Sequence, residues 1–286
     1  MIINNKIGIA TVFYNPNILS IELFKSLADH GYVVAIANNG IGQDDLNLIS
    51  QHKNITIVGT GINIGLAKGM NDAINSILEN NIKIEAIALF DQDSKPDIIL
   101  PELLYKSYNE NYVALNLACI GPILIDEKIS LNRIHKLKTL SEVTTIATSG
   151  TLISRKNYKK VGPLKDDFFI DCIDHEWCFR AKSMGLKVYV DNKIEMKHNM
   201  GEAGIDWFGT YKPIYRSPVR HYYIVRNTLA MLRTQYVPMR WKAVEVLKLI
   251  RRIVFYIIFS DNRVKTFKNI FQAFSDGLTG KMGVKN

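Results

Sequence analysis

The stretch Ala86-Ile-Ala-Leu-Phe-Asp91-Gln-Asp93-Ser94 indicates both the fold and the chemistry of this chain. An apolar run of strand character ends abruptly at two aspartates that are separated by one residue. In an α/β sheet, ligands bind at the carboxyl ends of the strands. Carboxylates in that place suit Mg²⁺ or Mn²⁺, which binds through one or two carboxylates and otherwise through water and phosphate oxygens. A polar turn that merely closes the strand is the alternative.

A second acidic cluster, Asp171-Cys-Ile-Asp174-His-Glu176-Trp-Cys-Phe-Arg180, favours the functional interpretation. Asp174 and Glu176 lie at a predicted helix start, where the helix dipole favours negative charge, so helix capping is an alternative role. Arg180 follows Glu176 by four residues, a spacing that predicts a structural ion pair. Together the two clusters indicate a metal–diphosphate site facing a general base, which is the chemistry of sugar transfer from a nucleotide.

Strand and helix patterns alternate over the first hundred residues or so, which predicts parallel βαβ units and an α/β fold with an open, doubly wound, mostly parallel sheet. Strand patterns occupy residues 6–14, 32–37, 54–59 and 84–90, and helical patterns occupy 16–30 and 64–78. Further strands are predicted near 118–125, 144–153 and 186–190, and a helix runs from the second acidic cluster to about Met184.

The composition bounds the class of protein. The chain is 47% hydrophobic and 22% charged, which is ordinary for a globular protein with a substantial core. Three cysteines are too few for a disulfide framework, so a reducing cytoplasm is expected. The N-terminal residues do not resemble a signal peptide, and the longest apolar run, 253–259, is too short to span a membrane. We therefore expect a cytoplasmic protein that does not cross a membrane.

The net charge of +9 is concentrated near the C-terminus, because residues 212–286 carry 15 Lys and Arg against 3 Asp and Glu. This asymmetry predicts a catalytic domain over 1–211 and a basic, helical extension over 212–286 that meets an anionic partner. In the extension, seven aliphatic residues share one predicted helix face: Val246, Leu249, Ile250, Ile253, Val254, Ile257 and Ile258. Packing within the protein or an oligomer would cover this face, and so would an anionic membrane surface, which Lys248, Arg251 and Arg252 favour.

Polar turns follow the other predicted strands. Asn38-Asn39-Gly40 ends the second strand, and Asn63-Ile-Gly65, with Asn71, follows the third. Small residues let the backbone approach a nucleotide, and Asn side chains bind base or ribose edges. Gly65 would also place a helix N-terminus near an anionic oxygen. Ordinary turn chemistry is the alternative for each of these loops.

Three further motifs have two interpretations each. Ser149-Gly150, after the predicted strand 144–148, lines an acceptor pocket or allows a tight bend. His198 is a metal ligand or a structural histidine. Arg226-Asn227 clamps a phosphate or caps a helix.

The chain resembles the inverting family 2 glycosyltransferases with a GT-A fold, most closely their bacterial rhamnosyltransferase branch. The resemblance covers roughly residues 6–235, and each motif is weak whereas the ordered set is specific. The Asp-Gln-Asp-Ser spelling and the Phe-Ile-Asp…Asp-x-Glu-Trp block favour rhamnosyl transfer. The motifs are Tyr14-Asn15-Pro16, Asn38-Asn39, Asn63-Ile-Gly65 with Asn71, Asp91-Gln-Asp93-Ser94, Ser149-Gly150, the block from Phe169 to Arg180, Gly185, His198 and Arg226-Asn227.

The resemblance implies a metal-dependent enzyme with Mg²⁺ or Mn²⁺ as cofactor. Asp93 would bind the cation directly, Asp91 would bind it through water or hold the donor ribose, and His198 would approach the metal or the diphosphate. Asp174 occupies the position of the catalytic base. The donor side would comprise Tyr14, Asn38, Asn39, Asn63, Gly65, Asn71, Asp91 and Gln92, and the acceptor or diphosphate side Ser149, Gly150, Glu176, Trp177 and Arg226.

Two departures from the family pattern bear on the site. Ala37 stands before the Asn pair where relatives often have Asp, which puts recognition of the donor's base or ribose there in doubt. Ile173 precedes Asp174 where many relatives have an acid, and Asp171 either compensates or is only a surface charge.

The favoured donor is dTDP-L-rhamnose, and the expected acceptor is a bacterial surface polysaccharide or lipid-linked glycan, such as one carried on a polyprenyl diphosphate at the cytoplasmic leaflet. Another nucleotide sugar on the same scaffold, UDP-galactofuranose or a UDP-hexose, is one alternative. A non-catalytic protein that binds nucleic acid through residues 212–286 is an alternative of a different class. The sequence contains no nucleic-acid-binding motif, which argues against this alternative.

Overall fold

An eight-stranded sheet with helices on both faces forms the centre of the molecule. The computed structural model describes residues 3–125, 139–197, 205–207, 210–212 and 217–285. Its strands are β1 (Ile7–Phe13), β2 (Val33–Asn38), β3 (Ile55–Val58), β4 (Ala86–Asp91), β5 (Leu117–Ile125), β6 (Leu140–Val143), β7 (Thr151–Ser154), β8 (Lys187–Lys197), β9 (Ile205–Trp207) and β10 (Thr210–Lys212). Its helices are α1 (Ile18–Asp29), α2 (Gln43–Ser50), α3 (Leu66–Asn80), α4 (Leu100–Leu115), α5 (Arg155–Val161), α6 (Ile173–Ser183), α7 (Pro218–Arg233), α8 (Met239–Phe259) and α9 (Arg263–Thr279).

The sheet has the strand order β3-β2-β1-β4-β7-β5-β8-β6. The first four strands in that order are parallel, β7 runs antiparallel between β4 and β5, β8 is parallel to β5, and β6 is an antiparallel edge strand. Every residue of β1 is buried, as expected for a strand covered on both faces. The predicted mostly parallel sheet is confirmed, and its topology brings the carboxyl ends of β1, β2, β3 and β4 to one edge.

Two apolar layers cover the sheet, one on each face. On one face, α3 and α6 pack through residues such as Ile74 and Trp177. On the other, α1 and α4 pack through residues such as Phe24 and Leu104. Alternate residues of β1 belong to opposite layers, since Ile9 lies in one and Ala10 in the other.

The strand predicted over 144–153 is wrong in its position, because the chain makes β6 over Leu140–Val143 and β7 over Thr151–Ser154. Between them the Thr151 side chain donates a hydrogen bond to the carbonyl of Ala147 (2.6 Å), which closes a turn. Gly150 follows with φ +82°, and its N–H donates to the carbonyl of Leu89 at 2.8 Å. Ser149-Gly150 therefore leads into β7 and does not end a strand.

The helices α7, α8 and α9 form a third apolar cluster that also contacts Phe169 and Ile170, beside the second acidic motif. The single apolar face predicted on α8 is divided in the structure. Leu249 is buried in the cluster, whereas Ile250 is 59% exposed and Val254 is 50% exposed. The predicted boundary between 1–211 and 212–286 stays a prediction, since residues 213–216 lie outside the described part of the chain.

Candidate active site

Three carboxylates converge at the carboxyl edge of the sheet. Asp91 is the last residue of β4, and Asp93 lies in the turn that the N–H of Ser94 closes on the carbonyl of Asp91 at 3.1 Å. Burial, and then the charges of Asp93 and Asp174, raise the pKa of Asp91 to about 7, while Arg220 acts in the opposite direction. The two acidic motifs, which are distant in sequence, therefore lie close enough in space for their charges to interact.

Asp174 begins the first turn of α6 and is held by its neighbour His175. One carboxylate oxygen accepts hydrogen bonds from the backbone N–H and from ring Nδ1 of His175, both at 2.8 Å. Burial alone would raise the pKa of Asp174, but the charge and hydrogen bonds of His175 outweigh it and lower that pKa. Because 25% of the side chain stays exposed, Asp174 is an ionised carboxylate that a substrate can reach.

The segment before Asp174 has an unusual backbone. Phe169, Asp171 and Cys172 have φ values of 65°, 66° and 63°, in the left-handed region that residues other than glycine seldom adopt. The carbonyl of Phe169 accepts hydrogen bonds from the first two residues of α3, and the Asn227 amide donates to the carbonyl of Asp171 at 3.0 Å. Backbone strain of this kind persists where the surroundings fix it, and it clusters at functional sites.

Sequence reasoning missed Arg220, a residue of α7. Its guanidinium donates two hydrogen bonds to the carboxylate of Asp171, at 3.1 and 3.2 Å. The same cation lowers the pKa of Asp91, so its charge reaches the acidic edge of the sheet. Asp171 is only 16% exposed and paired, so the surface-charge interpretation is wrong. The available signal was Asp171 itself, an acid of the second acidic motif that needs a cationic partner if it is buried.

Most of the predicted donor-side amides shape their own loops. The Gln92 amide exchanges two hydrogen bonds with the backbone of Tyr14, at 2.7 and 3.1 Å, and so ties β4 to β1. The Asn38 side chain accepts from the N–H groups of Gly40 and Ile41, and the Asn39 amide donates to the carbonyl of Gly65 at 3.0 Å and to Asn63. Tyr14, by contrast, is 52% exposed at the site edge.

Gly65 and Asn71 hold structure together and do not present polar groups to a ligand. The N–H groups that follow Gly65 donate to the carbonyl of Phe169, and a Cβ at Gly65 would come within 2.6 Å of the Phe169 ring. The first N–H groups of α3 are therefore already paired, and the approach of an anion there stays a prediction. Asn71 exchanges hydrogen bonds with both backbone groups of Leu164, at 2.8 and 2.9 Å, and accepts from the Tyr158 hydroxyl.

The predicted acceptor-side residues also lie mostly inside the protein. Glu176 is 1% exposed and makes two hydrogen bonds of 2.8 Å with Arg180, which confirms the predicted ion pair, and it also accepts one from Tyr236. The Trp177 indole N–H donates to the carbonyl of Gly162 at 2.9 Å. The hydroxyls of Ser149 and Ser94 are buried and bonded to each other, next to Gly150.

Arg226 lies in the interior and does not reach the acidic edge as a phosphate clamp. It is completely buried, and its guanidinium donates to the carbonyls of Asp167, Phe168 and Gly283. Its bonds join α7 to the segment before the second acidic motif and to the C-terminal residues. The sequence pattern could not distinguish this role, because a buried arginine that satisfies carbonyls and one that binds phosphate use the same donors.

The metal prediction rests on Asp91 and Asp93, since His198 lies outside the described residues. Within the described ranges, no group of three or more His, Cys, Asp or Glu side chains is arranged to hold a metal ion. Two carboxylates are nevertheless sufficient protein ligands for Mg²⁺, whose remaining positions water and substrate phosphates fill. The donor set, two carboxylates that repel each other at one strand end, fits a hard divalent cation.

Comparisons with known proteins extend over the whole chain. The dTDP-rhamnosyl transferase RfbF of Shigella flexneri is 29% identical over 298 residues, which cover 98% of each chain. TarS 1-349 of S. aureus in complex with UDP-GlcNAc has a TM-score of 0.59 and 12% identity, and the match covers 96% of this chain and 81% of that one. GalNAc-T7 with UDP, GalNAc and Mn²⁺ has a TM-score of 0.54 and 11% identity, covering 95% and 57%.

The two kinds of match support different statements. The structures are too distant in sequence to indicate more than the fold, and they confirm the predicted GT-A architecture. The full-length similarity to RfbF confirms the resemblance to the rhamnosyltransferases that the ordered motifs indicated. No protein-family model matches the chain.

Proposed function

We propose that this chain, which is a glycosyltransferase with the GT-A fold, transfers L-rhamnose from dTDP-L-rhamnose to a hydroxyl of a growing bacterial surface polysaccharide or lipid-linked glycan. The observation that carries the proposal is the convergence of Asp91, Asp93 and Asp174 in a chain similar to a dTDP-rhamnosyl transferase over 98% of its length. Another nucleotide sugar, UDP-galactofuranose or a UDP-hexose, is the alternative donor. The exposed edge near Tyr14 and the loops that carry Asn38, Asn39 and Asn63 would hold the nucleoside.

Asp174 acts as the general base in this proposal. Its low pKa keeps it ionised at neutral pH, and its exposed part is open to an acceptor hydroxyl. The hydroxyl oxygen attacks the anomeric carbon from the face opposite the diphosphate, its proton passes to Asp174, and the bond to the diphosphate breaks. Attack from the opposite face inverts the configuration. General-base assistance of this kind contributes roughly 10²–10⁴-fold to the rate.

Asp93 would hold the Mg²⁺ or Mn²⁺ directly, and Asp91 would hold it through water or bind the donor ribose. When bound, such a cation stabilises the negative charge of a departing diphosphate. Asp91 and Asp93 lie at the end of β4, and Asp174 lies on the start of α6, so the leaving group and the base are held by separate elements. Arg220, paired with Asp171, fixes the segment that leads into α6 and Asp174.

The donor assignment is tested by incubating the protein with a panel of nucleotide sugars and Mg²⁺ or Mn²⁺ and measuring release of the nucleoside diphosphate. We expect dTDP-L-rhamnose to give the highest kcat/KM in the panel, because the full-length relative carries that activity in its name. Turnover of UDP-galactofuranose or a UDP-hexose, with none of dTDP-L-rhamnose, would instead establish the alternative donor.

Replacing His175 by Phe should move the acidic limb of the kcat/KM profile to higher pH. His175 lowers the pKa of Asp174 through its charge, its ring hydrogen bond and its backbone N–H. Phe keeps only the backbone N–H and a ring near Trp241, so the charge and the ring hydrogen bond are lost. Asp174 would then take up its proton at a higher pH and lose its function as a base there. The matched control is His52→Phe, because His52 also bonds an aspartate, Asp29, at 2.8 Å, but does so outside the site. An acidic limb that does not move in His175→Phe would contradict the assigned coupling.

We propose that the protein works in the cytoplasm and associates peripherally with the inner face of the membrane. In the described part of the chain, no helix has both the length and the apolar character to cross a bilayer. Two helices nevertheless expose apolar residues beside basic ones: Val246, Ile250, Val254 and Ile258 on α8, and Val264, Phe267, Phe271 and Leu278 on α9. A contact within an oligomer is the alternative cover for this surface.

The structure changes which basic residues are expected to matter. Lys248 and Arg252 were expected to face lipid together with Arg251, but both form ion pairs with the buried Glu245, at 3.2 and 3.1 Å. Their charge is thus partly neutralised within α8. Lys265 and Lys268, exposed on α9 beside Phe267, add positive charge to the apolar surface.

We expect wild-type protein to cosediment with anionic liposomes at low salt and to be released at high salt, because basic residues near an anionic leaflet contribute about 1 kcal/mol each. The double variant Ile250→Ser and Phe271→Ser should bind less at every salt concentration. Ile82 and Val113, which are 91% and 83% exposed on the sheet domain, provide the control variant Ile82→Ser and Val113→Ser. Wild-type protein that stays unbound at low salt would rule out the membrane proposal.

A further inference from the structure

A small apolar cleft of about 20 Å³, which is room for about one water-sized group, adjoins Asp174 and has no role in the mechanism above. Its floor comes from the sheet, where Leu89, Cys119 and Ile153 are at most 2% exposed. Ile146 and Trp177 contribute to its walls. Since the floor is buried while 25% of the Asp174 side chain is exposed, the cleft extends from the base inward between α6 and the sheet.

Of the polar side chains in the wall of this cleft, Thr151 and Trp177 are already paired, whereas Thr148 makes no side-chain hydrogen bond within the described residues. The Thr151 hydroxyl donates to the carbonyl of Ala147 at 2.6 Å, and the Trp177 indole donates to the carbonyl of Gly162 at 2.9 Å. One oxygen of Asp174 already accepts two hydrogen bonds from His175. A buried hydroxyl needs a partner to replace the water it loses, whereas a methyl group does not. Because nearly all of the surface that lines the cleft is apolar, the lining suits a small apolar substituent.

The position of the cleft relates it to the sugar that is transferred. That sugar has to lie within reach of the Asp91–Asp93 edge, which holds the leaving group, and of Asp174, which receives the acceptor proton. The cleft lining joins Asp174 to Leu89 of β4, the strand that ends at Asp91 and so leads to the edge assigned to the leaving group. A substituent of the donor sugar is thus better placed to enter than one of the acceptor.

We propose that this cleft binds the C6 methyl group of a 6-deoxyhexosyl donor and thereby selects against donors with a C6 hydroxyl, an inference that rests on the proposed function. L-Rhamnose and L-mannose have the same ring configuration and differ at C6, which is a methyl group in the first and a hydroxymethyl group in the second. L-Lyxose has the same ring without C6. The three dTDP-sugars are therefore a matched series for the cleft.

The first measurement is kcat/KM of the wild-type enzyme with each of the three donors. An apolar pocket discriminates against an added hydroxyl or a missing carbon by roughly 10–100-fold, so we expect dTDP-L-rhamnose to exceed both others by that factor. Equal kcat/KM for dTDP-L-rhamnose and dTDP-L-mannose would overturn the inference and leave the rhamnosyltransferase proposal intact. If none of the three is a donor while a UDP-sugar is, the proposed function fails and this inference with it.

The second measurement uses the substitution Ile146→Thr, which replaces an ethyl group in the wall by a hydroxyl. The Ile146 side chain packs over Gly121, where an added Cβ would come within 2.3 Å of its Cδ1, so the substitution also opens space. We expect the ratio of kcat/KM between dTDP-L-rhamnose and dTDP-L-mannose to narrow at least about fivefold, within the range that a pocket contact controls. Val143→Thr is the matched control, because Val143 packs against the same core and is not part of the cleft lining.

Varying the acceptor shows whether the cleft receives a methyl group of the donor sugar or one of the acceptor sugar. Wild type and Ile146→Thr are compared with paired acceptors that differ only in a 6-deoxy or 6-hydroxy terminal sugar, at a fixed dTDP-L-rhamnose concentration. We expect the ratio of kcat/KM between the 6-deoxy and the 6-hydroxy acceptor to be the same in wild type and Ile146→Thr. If Ile146→Thr changed this acceptor ratio but left the kcat/KM ratio between dTDP-L-rhamnose and dTDP-L-mannose unchanged, the cleft would bind the acceptor sugar. The donor assignment would then be overturned. An unchanged donor ratio in an Ile146→Thr protein with a normal melting temperature would also overturn it.

Discussion

Asp174→Asn should lower kcat by ~10²-fold or more while leaving the dissociation constant of the donor nearly unchanged. The substitution is almost isosteric, and an amide keeps the hydrogen-bonding shape of the side chain but does not accept a proton at neutral pH. Asp174 carries this effect because it is ionised, exposed in part and held by His175. Steady-state kinetics and donor titration by calorimetry measure the two quantities separately.

Glu176→Gln is the contrasting variant, because it changes the neighbouring acid of the same motif. Glu176 is buried and bonded to Arg180 and Tyr236, so its loss should appear in stability before it appears in turnover. Removing one charge of a buried pair costs about 3 kcal/mol of unfolding free energy. We expect a lower melting temperature and a smaller fall in kcat than for Asp174→Asn. If the two variants exchanged these effects, Asp174 would not be the base.

Chelation should abolish transfer, and adding Mn²⁺ or Mg²⁺ back should restore it. Asp91 and Asp93 end β4 as two carboxylates in one turn, a donor set that suits a hard cation. Asp93→Ala should therefore lose activity by a large factor while the fold is retained, since Asp93 is exposed and its carboxylate supports no core contact. The assay is release of dTDP with and without EDTA, with circular dichroism as the check on folding.

The control for this prediction is Asp44→Ala, which removes an exposed carboxylate from the first turn of α2. It changes the net charge by the same amount as Asp93→Ala, and it should leave turnover unchanged. Full activity of the wild-type protein in excess EDTA would contradict the metal proposal. Loss of activity in Asp44→Ala that matched the loss in Asp93→Ala would show that net charge, and not the position of Asp93, determines the effect.

The parallel half of the sheet was predictable because its strands are apolar throughout. β1 and β4 lie in the middle of the sheet, and their buried runs end at polar turns that mark the functional edge. The placement of Asp91 at this edge followed from the same logic, since strand ends in such a sheet meet at one edge. The ion pair between Glu176 and Arg180 followed from helix spacing alone.

The roles of Asn71 and Arg226 were not predictable, because they depend on contacts between distant segments. Asn71 bonds Leu164, which is 93 residues away, and Arg226 bonds Gly283, which is 57 residues away. The same side-chain donors would serve a nucleotide or a phosphate equally well. A sequence pattern states which groups are available, whereas the packing decides whether a carbonyl of the protein or a ligand receives the hydrogen bond.

The division of the α8 face has a similar origin. Helical spacing places Leu249 and Ile250 on one broad apolar face. In the structure Leu249 packs into the cluster formed with α7 and α9, whereas Ile250 is exposed. Only the positions of the neighbouring helices decide where along such a face burial ends, and those positions are not encoded in α8 itself.

The anomeric configuration of the product tests the central proposal, inverting rhamnosyl transfer with Asp174 as base, most directly. The wild-type enzyme is given dTDP-L-rhamnose, Mg²⁺ or Mn²⁺ and a glycan acceptor, and the new linkage is assigned by NMR from its one-bond carbon–hydrogen coupling. We predict a rhamnosyl product whose anomeric configuration is opposite to that of the donor. A product that retains the donor's configuration would contradict the proposed mechanism.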